Sequence, residues 1–290
     1  MYNVPILVPS LIHRQCAELQ TLLPTGSVQS LAGVNDYWAS QIQAIQASCY
    51  VHPADPQQVS IVVKTAVKYQ CQFAIRGNGH SGIAGASNIA DGLVLNLDQF
   101  KGVTLSEDKK SALVGAGSRW GDVYSVLDTF NYTVVGGRET TVGVGGLTLG
   151  GGISFFSGRY GFACDNVLAY EVVLADGTIA TITQQNRPDL YRALRGGGNN
   201  FAVVTSYHFA AYPYDLLQGG FEIYGDAPTV QKGMLDAFGY FAQTGQDSPD
   251  ANMYLSLSYS NGAPLWITGL SYASPSPPIP AVPAYEQFYY

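Results

Sequence analysis

The sequence predicts an α+β protein in two parts, and three observations carry that expectation. Short apolar strand candidates are mixed with helix-period segments rather than alternating with them in regular βαβ units. Glycine is concentrated in three loops, each beside a strand or helix end, and composition shifts near Pro213. The 290 residues are 47% hydrophobic and only 12% charged, enough for a sizeable core and too apolar for disorder. A net charge of −7 argues against a nucleic-acid partner, whose phosphates call for Lys/Arg clusters. No apolar run approaches the roughly 18 residues of a membrane span.

The elements follow in chain order. Residues 1–48 read as helix and loop, with the clearest helix over His13–Leu23, before a short strand at Cys49–His52. Asp55 and Pro56 supply an N-cap and an N1 proline, and Val59, Val62, Val63, Ala66 and Val67 then recur at helical spacing. Cys71–Arg76 reads as a strand running into the loop Gly77–Gly82. Strands are expected at Leu93–Leu97 and Ala112–Gly115, and a helix over Arg119–Phe130. Val167–Leu174 and Thr178–Thr183 flank Asp176-Gly177, a hairpin signature. A short helix at Asp189–Leu194 precedes Gly196-Gly197-Gly198 and a strand over Val203–Phe209. Beyond Pro213 come a helix around Thr229–Gln243, strands at Met253–Ser260 and Leu265–Tyr272, and a tail with five prolines in the ten residues Ser274–Pro283.

The glycine loops are where chemistry would reside. Gly77-Asn78-Gly79-His80-Ser81-Gly82 satisfies G-x-G-x-x-G after a strand. A dinucleotide fingerprint must also open a helix, whereas Ile83–Asp91 is short, rich in Gly and Asn, and followed at once by a strand. An NAD(P)-dependent dehydrogenase would rest on this motif alone and is set aside. The physics of the loop survives: glycines let backbone N–H groups reach phosphate oxygens, and Arg76 is the nearby cation. Thr141–Gly152 (TVGVGGLTLGGG) and Gly196–Phe201 are equally suited to close backbone approach. Singly, each loop is as well explained by a tight turn; together, three suit one extended ligand. His80, between two glycines, stands out from an ordinary loop histidine. Ser81 completes no G-x-S-x-G elbow and no P-loop occurs, which removes the hydrolase and NTPase readings. Tyr160, Tyr170, Tyr254, Tyr259 and Tyr272 suit either an aromatic pocket or ordinary strand faces.

Met1–Ser10 lacks the positive region and long apolar stretch of a secretory signal. Cys16, Cys49, Cys71 and Cys164 show no C-x-x-C and no clustering with the four histidines, so no zinc site is expected. They read either as buried thiols or with a Cys16–Cys49 disulfide, which would point to secretion, as would the Asn131-Tyr132-Thr133 sequon.

Arg76–Ser81 resembles the R-x-G-G-H-S loop of berberine bridge enzyme-like FAD oxidases, members of the vanillyl-alcohol oxidase/p-cresol methylhydroxylase (PCMH) superfamily. Thr141–Gly152 is similar to that family's second flavin loop, closely so for fungal members. Gly161–Val167, Val172–Gly177 and Asp189–Phe201 with Val204-Thr205 follow in the family's order, so the resemblance covers roughly residues 37–212. It implies a helical and loop segment over 1–36, a two-lobed PCMH-type FAD-binding domain over 37–212, and an incomplete α+β substrate-binding domain over 213–290. It implies flavin contacts from Arg76, Gly77, Asn78, Gly79, His80 and Ser81, from Thr141, Val142, Gly145, Gly146, Gly150 and Gly151, from Asp165, Asn166 and Val167, and from Val203 and Val204. His80 would carry FAD through a covalent bond. Bicovalent members place a cysteine where this chain has Glu139, and Cys164 lies in another motif, so a single attachment is implied. Val142 falls where members admit or exclude dioxygen, and a small branched residue there looks like an oxidase. Cys16 and Cys49 match a pair common in fungal members.

The implied activity is oxidation of a small organic, secondary metabolite by hydride transfer to the flavin, with dioxygen as the second partner. Family members continue beyond the position of Tyr290, usually supplying the catalytic base from that region, and no residue here is assigned the role. The expectation is therefore a truncated chain, a catalytically impaired FAD-binding scaffold, or one completed by a partner chain. Localisation is expected to be secretory from the cysteine pair, against an N-terminus without a visible signal.

Overall fold

A computed structural model describes residues 9–29, 36–214 and 216–289; the signal-peptide reading of the N-terminus falls largely outside them. The first helix, Pro9–Leu22, begins four residues before the sequence expectation and turns Ile12, Cys16 and Leu19 onto the core at helical spacing. It packs on the helix Pro56–Tyr69. There the Asp55 carboxylate accepts from the Gln58 amide at 2.8 Å, and Val59, Val62, Val63 and Ala66 are buried. Gln70 in the left-handed region, φ 52°, ends the helix.

Three sheets follow from these connections. The first orders Val28–Gln29, Cys49–Val51, Leu93–Asn96 and Phe73–Arg76, the last three mutually parallel. Leu93–Asn96 is buried throughout, as a central parallel strand should be. The second is antiparallel and centred on the long strand Val203–Pro213, with Ser111–Gly115 and then Val103–Leu105 on one side and Val167–Val173 and then Ile179–Thr183 on the other. Tyr132–Val134 pairs with the far end of that central strand. One apolar core fills the space between these sheets, running from Leu93 and Leu95 through Val114 and Trp120 to Tyr207 and Phe209.

The third sheet orders Gln218–Gly225, Ala263–Tyr272 and Ala251–Ser260. The helix Pro228–Thr244 covers one face, and Met253, Leu270 and Tyr285 form a small core beneath it. The Arg159–Asp250 ion pair and a hydrogen bond from Arg138 to Asn252 Oδ1 (3.2 Å) tie this sheet to the rest. No helix among the described residues is long and apolar enough to cross a membrane.

Several elements depart from the sequence expectations. Val28–Gln29, Val103–Leu105, Tyr132–Val134 and Gln218–Gly225 are strands that the sequence did not announce. Gln218–Gly225 carries three glycines, which disfavour a strand locally; it forms because every residue finds a partner in Ala263–Tyr272. The expected helix Arg119–Phe130 is α-helical only over Trp120–Leu127 and tightens into a 3₁₀ turn at Asp128–Phe130. Val203–Pro213 runs on past the expected strand end at Phe209.

Cys16 and Cys49 are joined by a disulfide across 33 residues, pinning the first helix to the first parallel strand. Closing a loop of that length removes about 3–4 kcal/mol of unfolded-state entropy in the chain-entropy view. Cys16→Ser/Cys49→Ser is expected to unfold in urea with stability lowered by about that amount; an unchanged midpoint refutes the assignment.

Candidate functional site

The loops that join the first two sheets enclose a cleft of about 510 Å³. The strand Phe73–Arg76 delivers the first wall: Gly77, Asn78, Gly79, His80 and Ser81 all line it. Gly79 has φ +70°, and a Cβ there would lie 2.9 Å from the Tyr37 ring, so only glycine fits the turn. Asn78 fastens the loop to the second lobe, its Nδ2 donating to the Gly117 and Ser118 carbonyls at 3.1 Å. Its Oδ1 accepts from Arg119 Nε, whose guanidinium pairs with Asp36 at 2.6 Å.

The second glycine block folds as a short helix, Val144–Leu149, rather than an open loop. Val142, Gly145, Gly146 and Gly150 line the cleft, with Gly143, whose hydrogen faces the Asn78 side chain. A Cβ at Gly146 would meet nothing within 4 Å, so this glycine leaves open space on the cleft side. The third loop closes the site through Gly198 and Asn199, the Gly198 amide donating to the Leu149 carbonyl at 2.9 Å. The three glycine loops, spread over more than 100 residues, thus converge on one cavity.

His80 stands where the first two loops meet. Its Nε2 lies 3.5 Å from Thr141 Oγ1, and its ring is stacked on Trp38, centroids 5.2 Å apart and planes 18° from parallel. Trp38 is 69% exposed yet held there by its amide, which donates to the Gly79 carbonyl at 3.1 Å. Nothing in its sequence surroundings marks it. Ser87 and Tyr207 also line the cleft without a sequence signal. The Tyr207 hydroxyl donates to the Gly145 carbonyl at 3.3 Å, and complete burial pushes its pKa well above the ordinary phenol value.

Seven residues expected at the ligand do not line the cleft. Arg76 is buried beneath the loop, donating to Asn96 Oδ1 (3.2 Å) and the Asp36 carbonyl (2.6 Å) with its guanidinium over the Tyr37 ring. A desolvated cation needs such partners, and they hold it away from the cavity. Asp165 pairs with Arg195 and caps the Phe162 amide at 2.9 Å. Asn166 bonds the Tyr160 and Phe162 carbonyls and accepts from the Tyr212 hydroxyl. Val167 and Val203 are core residues, whereas Val204 lines the cleft. Gly151, at φ +111°, makes the turn after the second block. Thr141 is exposed beside His80, its amide and hydroxyl both bonded to the Glu139 carboxylate. Tyr254 and Tyr259 belong to the third sheet and do not reach the cleft. Residues 83–92 contain turns and no helix, consistent with setting the nicotinamide reading aside.

Arg76 is the end of a polar chain: Asn96 Nδ2 donates to Asp98 Oδ2 (3.1 Å), which also accepts from His52 Nδ1 (2.9 Å). Burial opposes the Asp98 carboxylate, but the hydrogen bond and charge of His52 prevail and hold its pKa below the ordinary 3.8. A carboxyl depressed on folding stabilises the protein above its unfolded pKa and stops doing so as pH falls through the folded value. Asp98→Asn is therefore expected to be less stable than wild type at pH 7, with the difference shrinking as pH falls below 3.8 and gone only below the lowered folded-state value. A pH-independent difference in urea midpoint would contradict this.

The donor set fits a large flavin nucleotide. Among the described residues the lining carries no Lys, Arg, Asp or Glu, which suits an apolar ring system, while the glycine backbones offer N–H groups for phosphate. Ser87, on the cleft wall, is a buried residue whose hydroxyl has no partner among the described residues.

Comparison with known proteins agrees. Residues 47–183 match the family model described as an FAD binding domain. The FAD-dependent monooxygenase tpcD of Cochliobolus heterostrophus is 45% identical over 249 residues, covering 86% of this chain and 47% of that protein. The chain spans about half the length of the curated relatives it matches. Among solved structures, 6-hydroxy-D-nicotine oxidase of Arthrobacter nicotinovorans superposes with TM-score 0.78 at 23% identity, over 88% of this chain and 57% of that one. The berberine bridge enzyme-like 1 protein of Physcomitrella patens gives 0.77 at 23% identity, over 96% and 59%.

Proposed function

We propose that this chain, which carries an FAD binding domain and is similar to fungal FAD-dependent monooxygenases, is part of an FAD-linked oxidoreductase that oxidises a small organic, secondary metabolite, with dioxygen as the final electron acceptor. The observation that carries the reading is the convergence of three glycine loops on one uncharged cleft with His80 on its wall. Bound FAD would supply the acceptor for the substrate's hydride.

The chain's own residues hold and orient. The backbones of Gly77–Ser81, Gly145, Gly146 and Gly150 leave room for close approach, and Ser87 offers a hydroxyl from the wall. His80 provides the single covalent attachment: Glu139 stands at the position of a second, its carboxylate occupied by Thr141. Trp38 covers one face of the imidazole and fixes its plane. Val142, small and on the lining, leaves a path for dioxygen. The Cys16–Cys49 disulfide supports passage through an oxidising, secretory compartment.

The test is the bound cofactor and its turnover. The purified protein is expected to be yellow, to yield FAD-type nucleotide on digestion, and to form peroxide when a substrate is supplied. A colourless protein that takes up no FAD overturns the reading.

A further inference from the structure

Residues 36–38 form a strap against the His80 loop, and each of the three holds it by a different contact. The Asp36 carbonyl accepts from Arg76 Nη2 at 2.6 Å, and the Asp36 carboxylate pairs with Arg119 of the second lobe at 2.6 Å. Tyr37 is buried against Gly79 with the Arg76 guanidinium over its ring, and its hydroxyl donates to the Ser87 carbonyl at 3.2 Å. The Trp38 amide donates to the Gly79 carbonyl at 3.1 Å, which brings the indole onto the next side chain of the loop, His80. The same indole reaches Gly82, where a Cβ would meet it at 3.9 Å. Arg119 completes the anchorage: its Nε donates to Asn78 Oδ1 at 3.1 Å and its backbone bridges to Gly143. The strap is thereby tied to the first glycine loop and to the second.

Within the strap, the residue that serves folding is not the one that meets His80. Tyr37 packs with Ala39 and Ile42 in a small core of its own. Trp38 is mostly exposed, and among the described residues the ring it stacks on is His80. An exposed side chain of this kind contributes little to stability. His80 lines the cleft whereas the described lining does not include Trp38, so the indole meets the imidazole from outside the cavity. Residues 77–87 contain no helix or strand, and the 3.5 Å approach of Thr141 is too long to fix the ring. The stacked indole is therefore what restricts the two side-chain torsions of His80.

We infer that Trp38 is a positioning residue for covalent flavin attachment, presenting the His80 imidazole to the cleft at a fixed angle. The inference rests on the FAD reading above, and it concerns the rate of attachment rather than the affinity for FAD. In that step the bonding imidazole nitrogen gives up its proton, and a flavin C–H bond gives way to the new C–N bond. The electron pair of the C–H bond stays on the flavin ring until dioxygen removes it, leaving as peroxide with the two released protons. Bond formation of this kind needs an aligned pair, so freeing the imidazole slows it while leaving both partners in place.

Apoprotein from a riboflavin-starved host is mixed with FAD, and acid-precipitable flavin is followed with time. Trp38→Ala is expected to attach flavin about tenfold more slowly than wild type. Trp38→Phe, which restores a stacking ring, should come within about threefold of wild type. The urea midpoint should not move, and non-covalent FAD affinity in the His80→Ala background should be the same with and without Trp38→Ala. In the apoprotein, the Cε1 proton resonance that disappears in His80→Ala should move downfield in Trp38→Ala, as the indole ring current is removed. Attachment by Trp38→Ala at the wild-type rate overturns the inference. So does a slowing that Trp38→Phe does not rescue, or one that tracks a lower urea midpoint or weaker FAD binding. The underlying reading fails separately: wild-type protein that takes up no FAD, or takes it up without attaching it, refutes that reading, and the inference with it, before any variant is compared.

Discussion

Acid precipitation of the purified protein is expected to carry the flavin into the pellet, and His80→Ala to leave it all in the supernatant. The family resemblance implies the bond, and the environment singles out His80 to carry it. A covalent bond to the ligand needs a nucleophile on the cleft wall. Among the described lining residues the titratable side chains are His80 and Tyr207. Tyr207 is fully buried, held protonated far above the ordinary phenol range, and donates its proton to a carbonyl. Cys71 and Cys164 lie outside the cleft, and burial raises both thiols, leaving little thiolate. His80 alone is half-exposed and held in a fixed plane by Trp38. Cys164→Ser should retain all of its attached flavin. Attachment that survives His80→Ala, or that is lost with Cys164, would refute the assignment.

Gly117→Ala should be the most damaging small substitution near the site, lowering stability by about 3 kcal/mol or preventing folding. A Cβ there would lie 1.9 Å from the Leu97 carbonyl oxygen and 3.1 Å from that of Phe100. Both are backbone atoms without a rotamer to yield, and the Gly117 amide already donates to Phe100 at 2.8 Å. The Gly117 carbonyl also receives Asn78, so the disturbance reaches the His80 loop. Gly233 provides the contrast: it lies inside the helix Pro228–Thr244 with nothing within 4 Å of a Cβ, and Gly233→Ala should gain about 0.5–1 kcal/mol. Equal urea midpoints for the two variants would contradict the packing argument.

Locally encoded features were legible in the chain. The Asp55-Pro56 start, the valine periodicity after it and the Asp176-Gly177 hairpin each act through neighbours a few residues away, and they appear where the sequence places them. Edge and glycine-rich strands were not legible. Gln218–Gly225 is made by pairing with residues some fifty positions on, and that partner has no trace in its own composition. Trp38 and Ser87 were missed for the same reason: what they do depends on which distant loop faces them.

The sequence by itself determined that three loops, the first carrying His80, can let a ligand approach the backbone closely, because glycine's freedom from a side chain is a property of single positions in order along the chain. Only the tertiary structure decided which residues of those motifs face the cavity. Arg76, a cation beside a phosphate-type loop, suggested a ligand contact; folding instead buries it on Asn96, Asp36 and Tyr37, because a desolvated guanidinium is held by whichever acceptors surround it. Asp165 and Asn166 went the same way, into an ion pair and a turn that hold the second lobe together. Motif membership is written in the order of residues, whereas contact is set by the side-chain partners that only the folded chain supplies.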